Sequence, residues 1–539
     1  MASPAAHLAS SGPRDRRRTV EERLAAAGPP SADRRTPPPE GRLSSDEYPV
    51  TRLGATLADL GPVFASFGRY LSSRIDLVRR RDALVLAAIP DRATPMTAAQ
   101  VDACVARELG TPLERRFFEF DRAASDVTLW TERHRAWLAP GVPVLVTIVR
   151  PDAAEWLARD VPLLPLLHPW FDVPPDSLAA AVDDFALTLR RRLDQTHQVA
   201  ALATLAADAS VHGGFSAPVC YRDHCAPGIL TLEKPAGATF HDIMADESNT
   251  DAARAAAEQR AKRLATAWLR QALLGRVVPF DFGPRDIVAD ADRIVLIGGA
   301  FEPHTSAERS HFLSYLDAVA ADDPDAAAAW VVGASARDAP DPSGEEMLRR
   351  RLRQAVPFRD GEWSGDDRLA EHLLVQWRMA REAGWSLTPH HLHLYRGLLA
   401  TTRMTTQLAP HEDSLLSALQ HERLQMGLAE VRDLLDPGAV GARLDRLLQG
   451  MVHLPQKLDN VLTLAAEGRL HVKLHVPDSD AAGQVRNRTI LLVATLVALT
   501  GLASVARQFA PAFGPGVERL SAVALLMLGG WLLVAAARL

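Results

Sequence analysis

Lysine is almost missing from this chain of 539 residues. Of its 60 basic residues only Lys234, Lys262, Lys457 and Lys473 are lysines, and none precedes position 234. The first 233 residues therefore offer no compact ammonium, only the bulkier, planar and forked guanidinium of arginine. Cysteine is scarce as well. Cys104, Cys220 and Cys225 are too few for a disulfide framework and suit a reducing compartment. Cys220 and Cys225, with His224 and His212 nearby, have neither the spacing nor the second cysteine pair of a zinc finger or ribbon, so they read as strand and turn residues. Positive charge is not in excess: the net charge is −6, which gives no global argument for nucleic acid, and no such partner is expected. No apolar h-region opens the chain, so its N-terminus is expected to stay in the cytoplasm.

What is present supports a large folded body. A chain of this length with 47% hydrophobic residues accommodates two or three domains and a sizeable core. Residues 1–45, rich in Pro, Arg, Ser and Ala, read as a disordered arm. Its cluster Arg14, Arg16, Arg17 and Arg18 is expected to be solvated, with contact to anionic lipid the alternative. From Leu53 to about Leu84 apolar residues recur at helical steps, and a helix near Ala98 to Glu108 opens at Thr97. Val142 to Val149 is short and β-branched, hence a strand. Helix follows from about Ser177 to Asp208, a strand at Ile229 to Glu233, and a long helix from Asp251 to Leu274.

The most informative stretch runs from Trp268 to Pro303. It reads as a helix, a loop carrying Asp281 and Asp286, a short strand from Arg293 to Ile297, and then Gly298-Gly299-Ala300. In protein kinases this order serves phosphoryl transfer: a loop Asp orients the nucleophile, a nearby Asp or Asn holds Mg²⁺, and an Asp after the next strand holds Mg²⁺ on the phosphates. Here that last Asp is missing. Asp281-Phe282-Gly283 spells D-F-G, but the apolar strand that should precede a metal-binding D-F-G lies instead at Arg293 to Ile297. Other polar groups read as ordinary. His390, His391 and His393 do not all share one helix face and are expected as surface or capping residues. Asp183-Asp184 and Asp322-Asp323 read as solvated surface.

Near the C-terminus, Thr489 to Ala506 and Leu520 to Ala537 are uncharged 18-residue stretches at the lower edge of membrane-spanning length. Pro511, Gly514, Pro515 and Gly516 lie in the connection. A transmembrane helical hairpin is expected, with the soluble part on the cytoplasmic side of a cell membrane. Gly501, Gly529 and Gly530 permit close helix packing.

An ordered series of motifs resembles the UbiB/AarF atypical kinase-like family. Leu60-Gly61-Pro62-Val63-Phe64 through Gly68-Arg69-Tyr70-Leu71-Ser72-Ser73-Arg74 resembles its LGPxFxKxGQxLSxR signature. Glu108-Leu109-Gly110-Thr111-Pro112-Leu113 with Phe118-Glu119-Phe120-Asp121, then His134-Arg135-Ala136 and the strand ending in Arg150-Pro151, follow its next motifs. Leu230-Thr231-Leu232-Glu233 with Gly237, and Leu454-Pro455 with Gly468 to Val472, complete the series. The resemblance implies an α+β fold of two-lobed protein-kinase type, predominantly helical, ending in the transmembrane hairpin. It divides the chain into the arm (1–45), a helical extension (46–125), an N-lobe with inserted helices (126–235), a helical C-lobe and extension (236–480) and two membrane helices (481–539).

The departures bear on activity. Ser66 and Arg69 stand where the family signature has Lys and Gln, Thr147 replaces the nucleotide-binding Lys, Arg192-Leu193-Asp194 replaces an acidic Glu-Leu-Asp, and Gly298 replaces the metal-binding Asp. Asp281 alone survives as a catalytic position, with Asp286 standing for the metal-binding Asn. Contacts to developing charge are worth about 3–4 kcal/mol each, so losing two suppresses turnover by several orders of magnitude. A nucleotide's terminal phosphates are expected to find no adequate positive charge here. The resemblance then implies a membrane-anchored pseudokinase, an accessory, scaffold or lipid-presenting protein in quinone or other isoprenoid-lipid metabolism, with membrane lipid, an isoprenoid lipid and a membrane enzyme as partners. The alternatives are a residual Mg-ATP-dependent ATPase or kinase using Asp281 and Asp286, and a purely structural membrane partner.

Overall fold

The computed structural model describes residues 13–28 and 49–422, apart from 75–76, 79, 172, 247–249, 321–322, 336–341, 355–375 and scattered positions between 378 and 420. The proposed membrane segments 489–506 and 520–537, Asp322 and the C-terminal motif residues lie outside the described residues. Among the described residues no helix is long and apolar enough to cross a membrane.

The chain opens with helix α1 (Pro13–Ala26), followed by α2 (Pro49–Leu60), α3 (Pro62–Leu71), α4 (Arg80–Ala87), α5 (Ala98–Leu109) and a turn, α6 (Leu113–Arg116). Two expectations are corrected here. The 1–45 arm contains α1, whose Arg16 is not solvated. It is fully buried, donates to both oxygens of Asp160 at 2.9 Å and to the Leu60 carbonyl at 2.6 Å, and lies over the Phe64 ring. A buried guanidinium needs a carboxylate of this kind beside it, and nothing in the local composition of the arm announces it. The helical run from Leu53 to Leu84 is broken at Gly61, whose φ of 108° is open to glycine without strain, and Pro62 then starts α3 at a favoured first-turn position. The next helix begins where the sequence indicates, with Thr97 and Gln100 forming a reciprocal capping box.

Strands β1 (Glu119–Phe120), β2 (Asp126–Val127), β3 (Thr131–Ala139), β4 (Val142–Val149) and β5 (Ile229–Glu233) form an antiparallel sheet in the order β1-β3-β4-β5, with β2 also on β3. Alternation along these strands decides what faces the cleft. Ala136, Val144, Val146, Ile148 and Ile229 pack with Val101, Val105 and Leu109 of α5 in one apolar cluster. Side chains one residue out of step therefore point to the opposite face. Arg133 and Thr147, directly paired in the register of β3 and β4, belong to that second set.

Helices α7 (Ala153–Asp160), α8 (Pro175–Leu193) and α9 (Gln195–His212) interrupt the sheet sequence between β4 and β5. Asp194 separates the last two by capping α9, its carboxylate accepting from the Thr196 and His197 amides. After β5 come β6 (Ala238–Thr239), α10 (Phe240–Ala245) and α11 (Asp251–Leu274). The antiparallel pair of β7 (Val277–Asp281) and β10 (Ala300–Pro303), and a small sheet in which β8 (Ile287–Asp290) lies between β6 and β9 (Arg293–Leu296), carry the central loops. Helices α12 (Ser306–Ala320), α13 (Pro324–Gly333), α14 (Pro342–Gln354) and α15 (Pro389–Leu408) follow. The main core gathers Trp268 and Leu264 of α11 with Leu394 and Leu398 of α15. The result is a mostly helical body with a five-stranded sheet on one side and two short sheets on the other.

Candidate functional site

Asp281 ends β7, and Asp286 closes the short 3₁₀ turn Pro284–Asp286 ahead of β8. The two carboxylates meet at a shared guanidinium. Arg192, in the last turn of α8, donates to Asp286 Oδ2 at 2.7 Å and to the Asp281 carbonyl at 2.8 Å, with Asp281 Oδ2 at 3.4 Å. From the five-stranded sheet, Arg133 donates to Asp286 Oδ1 at 2.6 Å and to the Arg285 carbonyl. The Gly283 amide adds a bond to Asp286 Oδ2 at 3.1 Å. From α15, Arg396 donates to Asp281 Oδ1 at 3.0 Å, while its guanidinium lies 4.7 Å from the Tyr70 ring centroid and 5.4 Å from that of Phe280. Arg285 is paired with Asp126.

Every oxygen of the two carboxylates thus faces a protein donor. Burial, the largest single influence on Asp286, raises its pKa, but Arg192 and Arg133 outweigh it and hold the carboxyl well below the usual carboxylate range. Burial also works against the charge on Arg192, yet Asp286 and Asp281 beside it leave its pKa higher than usual.

The network separates two cavities. One, of about 350 Å³, is lined by Ser66 and Arg69 of α3 together with Asp281, Asp286 and Arg192. Ser66 accepts from the Trp130 indole at 2.7 Å, and Arg69 pairs with Asp91. The other, of about 540 Å³, lies between the sheets against Leu145, Lys234, Gly237 and Val288, and Arg133, Arg285 and His241 border both. Its size is that of a small-molecule site.

The structure brings together five of the six positions singled out from sequence. Ser66, Arg69, Asp281 and Asp286 line one cavity, and a Cβ at Gly298 would stand 3.5 Å from both Asp286 Oδ1 and Arg133 Nη2. Thr147 is buried in β4 opposite Arg133. Positive charge reaches the cleft through Arg133, Arg192, Arg285 and Arg396, each already paired with a carboxylate. Sequence reasoning missed Arg133 and Arg396. Arg192 had left a signal, a basic residue where the resembled motif is acidic.

Asp184 is also corrected from surface to core. It accepts from Tyr70 Oη at 2.6 Å, and His393 Nε2 lies 2.7 Å away, while His393 Nδ1 lies 3.2 Å from Glu302. Of the neighbouring histidines, His391 Nδ1 lies 2.6 Å from Thr388 Oγ1, a contact between side chains that caps no backbone group. His393 is buried and His390 and His391 are half-buried, so none is a surface residue.

Residues 88–330 match the family model described as ABC1 atypical kinase-like domain. The chain is 28% identical over 209 residues to a probable protein kinase UbiB of Azotobacter vinelandii, covering 38% of this chain and 39% of that protein. It is 30% identical over 203 residues to one of Sodalis glossinidius, covering 36% of this chain and 37% of that protein. The match thus spans less than two-fifths of these relatives. The solved structure of the Rv3197–erythromycin complex from Mycobacterium tuberculosis aligns over 65% of this chain and 86% of that one, at 19% identity and a TM-score of 0.41. Residues 88–330 thus form a kinase-like body similar to the ABC1 atypical kinase-like domain and to these UbiB proteins.

Proposed function

We propose that this protein is a pseudokinase of its family, in which guanidinium groups have taken the place of the metal. The observation that carries the reading is the saturation of Asp281 and Asp286 by Arg133, Arg192 and Arg396. Mg²⁺ demands near-octahedral oxygen coordination at about 2.0–2.1 Å. Two carboxylates whose oxygens already accept from three cations do not fit that demand, and the same cations repel an arriving dication. Thr147 and Gly298 remove the ammonium and the remaining acid that would hold phosphates and metal in an active relative. The residues present therefore suit a permanent internal salt-bridge lock rather than Mg-ATP, and no transfer step is assigned to them.

The test measures ATP turnover and thermal stability of the full-length protein. We expect no Mg²⁺-dependent turnover above the background of Asp281→Asn, and the same nucleotide-induced melting shift in Mg²⁺ as in EDTA. Turnover that requires Mg²⁺ and disappears in Asp281→Asn would instead establish the residual ATPase or kinase reading.

The cellular role follows from the family. The relatives' name, UbiB, links them to ubiquinone biosynthesis. We infer an accessory or lipid-presenting function beside a membrane enzyme of quinone or other isoprenoid-lipid metabolism, with residues 489–506 and 520–537 as the anchor. Ending the chain after Arg488 is expected to move the protein from the membrane fraction to the supernatant. Retention on membranes would remove the hairpin as anchor and favour a lipid-binding surface elsewhere.

A further inference from the structure

The loop after β10, the first turn of α12 and the first turn of α15 meet away from the arginine-locked cleft. We propose that His304, Glu308 and His390 form a binding site there for a divalent transition metal of the zinc class. One donor atom from each residue lies within 4.8 Å of the others. No other three His, Cys, Asp or Glu residues do so among the described residues, and Cys220 and Cys225 find no such third ligand.

The hydrogen bonds fix which atoms are offered. His304 Nε2 lies 2.9 Å from the Ala272 carbonyl, a contact that requires the proton on Nε2. In the neutral ring this leaves the Nδ1 lone pair free to coordinate, which is how a backbone carbonyl orients a metal-ligating histidine. That Nδ1 faces His390 Nε2 at 3.1 Å. Two nitrogens on a zinc ion at about 2.0–2.1 Å in tetrahedral geometry stand about 3.3 Å apart, so the pair is already near the required bite.

Glu308 is held rather than loose. Its Oε2 accepts from the Thr305 amide at 2.7 Å and hydroxyl at 2.8 Å, capping α12. Its Oε1 lies 3.7 Å from His390 Nδ1, and Oε2 lies 3.9 Å from His304 Nδ1.

Without a cation the arrangement is incomplete. A proton on His390 Nε2 satisfies the contact to His304 but leaves the His390 Nδ1 lone pair facing the Glu308 carboxylate, two acceptors with no proton between them. Neutral imidazoles are the state a metal needs. The partial positive ends of α12 and α15 oppose a cation, and the Glu308 charge counters them. Two imidazoles and one carboxylate favour zinc over Mg²⁺ or Ca²⁺ and leave a fourth position open, as in exchangeable zinc centres.

The experiment uses the full-length chain purified without a polyhistidine tag, dialysed against ZnCl₂ and then against metal-free buffer. We expect one zinc per chain by atomic emission and a melting temperature raised by roughly 2 °C or more at a hundredfold excess over Kd, with no rise in MgCl₂. His304→Ala/His390→Ala should lose the zinc, and Cys220→Ser/Cys225→Ser should keep it. Glu308→Gln preserves the capping box and should weaken zinc binding at least tenfold. Because the histidine double variant could misfold, Co²⁺ titration of the unaltered protein supplies a second readout: the intense visible absorption of a four-coordinate site. No retained zinc, zinc that follows the cysteines, or a weak six-coordinate cobalt spectrum overturns the site.

Discussion

Asp286→Ala is expected to lower the melting temperature of the full-length protein by roughly 3–5 °C, the equivalent of about 3–5 kcal/mol. The cost comes from the residues left behind. Asp286 is 2% exposed and accepts from Arg133, Arg192 and the Gly283 amide. Removing it leaves two guanidinium groups beside each other at the cavity wall, each having lost its shortest carboxylate partner. A carboxylate kept to hold Mg²⁺ behaves in the opposite way, because taking one acid from a metal-free acidic site relieves repulsion and is neutral or stabilising. The sign of the change in melting temperature therefore separates an internal lock from an empty metal site, without any activity assay.

The same network predicts how stability follows pH. In the folded protein the Asp286 carboxyl is held below its ordinary range, so at moderately acid pH the unfolded chain takes up the proton first. Its contribution is complete above the unfolded carboxyl value of about 4 and is lost progressively as pH falls toward the depressed folded value. Asp184, held low against burial by its His393 contact and by Arg396, adds in the same direction. Thermal unfolding between pH 6 and 3 (on the order of the carboxylate range) should show a steeper acid decline in the unaltered protein than in Asp286→Ala. Parallel curves would mean that Asp286 does not carry the effect.

The regular elements were legible because their signals are local. The alternation and β-branching of Val142 to Val149, the cap at Thr97, and the loop order from Trp268 to Gly298 each lie within a short stretch. Asp281 and Asp286 stood out for the same reason, and both line one cavity. What was not legible depends on partners far away in sequence. Arg133 is 153 residues from Asp286 and Arg396 is 115 from Asp281, and each sits among other arginines with nothing local to single it out. Arg16 is one of five basic residues in a polar helix, and only the distant Asp160 explains its burial. Asp184 reads as half of an exposed acidic pair until α8 is placed against α15 and its neighbour Asp183 is found on the outer face. His390 stands out in the sequence only within a histidine cluster, and its nearness to His304, 86 residues away, shows only once the two helix starts converge.

Gly237→Ala should destabilise the protein by about 3 kcal/mol or more, an effect that neither helix nor strand propensity would suggest. The residue immediately precedes β6, and a Cβ built on it would stand 1.8 Å from the Ala289 carbonyl oxygen, 2.5 Å from its carbon and 2.9 Å from the Asp290 Cα. All three belong to the backbone of β8, so no rotamer change can make room. Relief requires β6 and β8 to separate, although Ala238 and Thr239 are paired with Ala289 and Val288. Because β8 starts directly after Asp286, the displacement is transmitted to the arginine lock and to the wall of the larger cavity, which both Gly237 and Val288 line. Gly283→Ala is the matched control: no heavy atom lies within 4 Å of its Cβ, its φ is −133°, and its amide bond to Asp286 survives the change. That variant should melt within about 0.5 kcal/mol of the unaltered protein. Equal stability of the two variants would show that β6 can move away from β8 without cost, and the close approach at Gly237 would then have no part in holding the cleft.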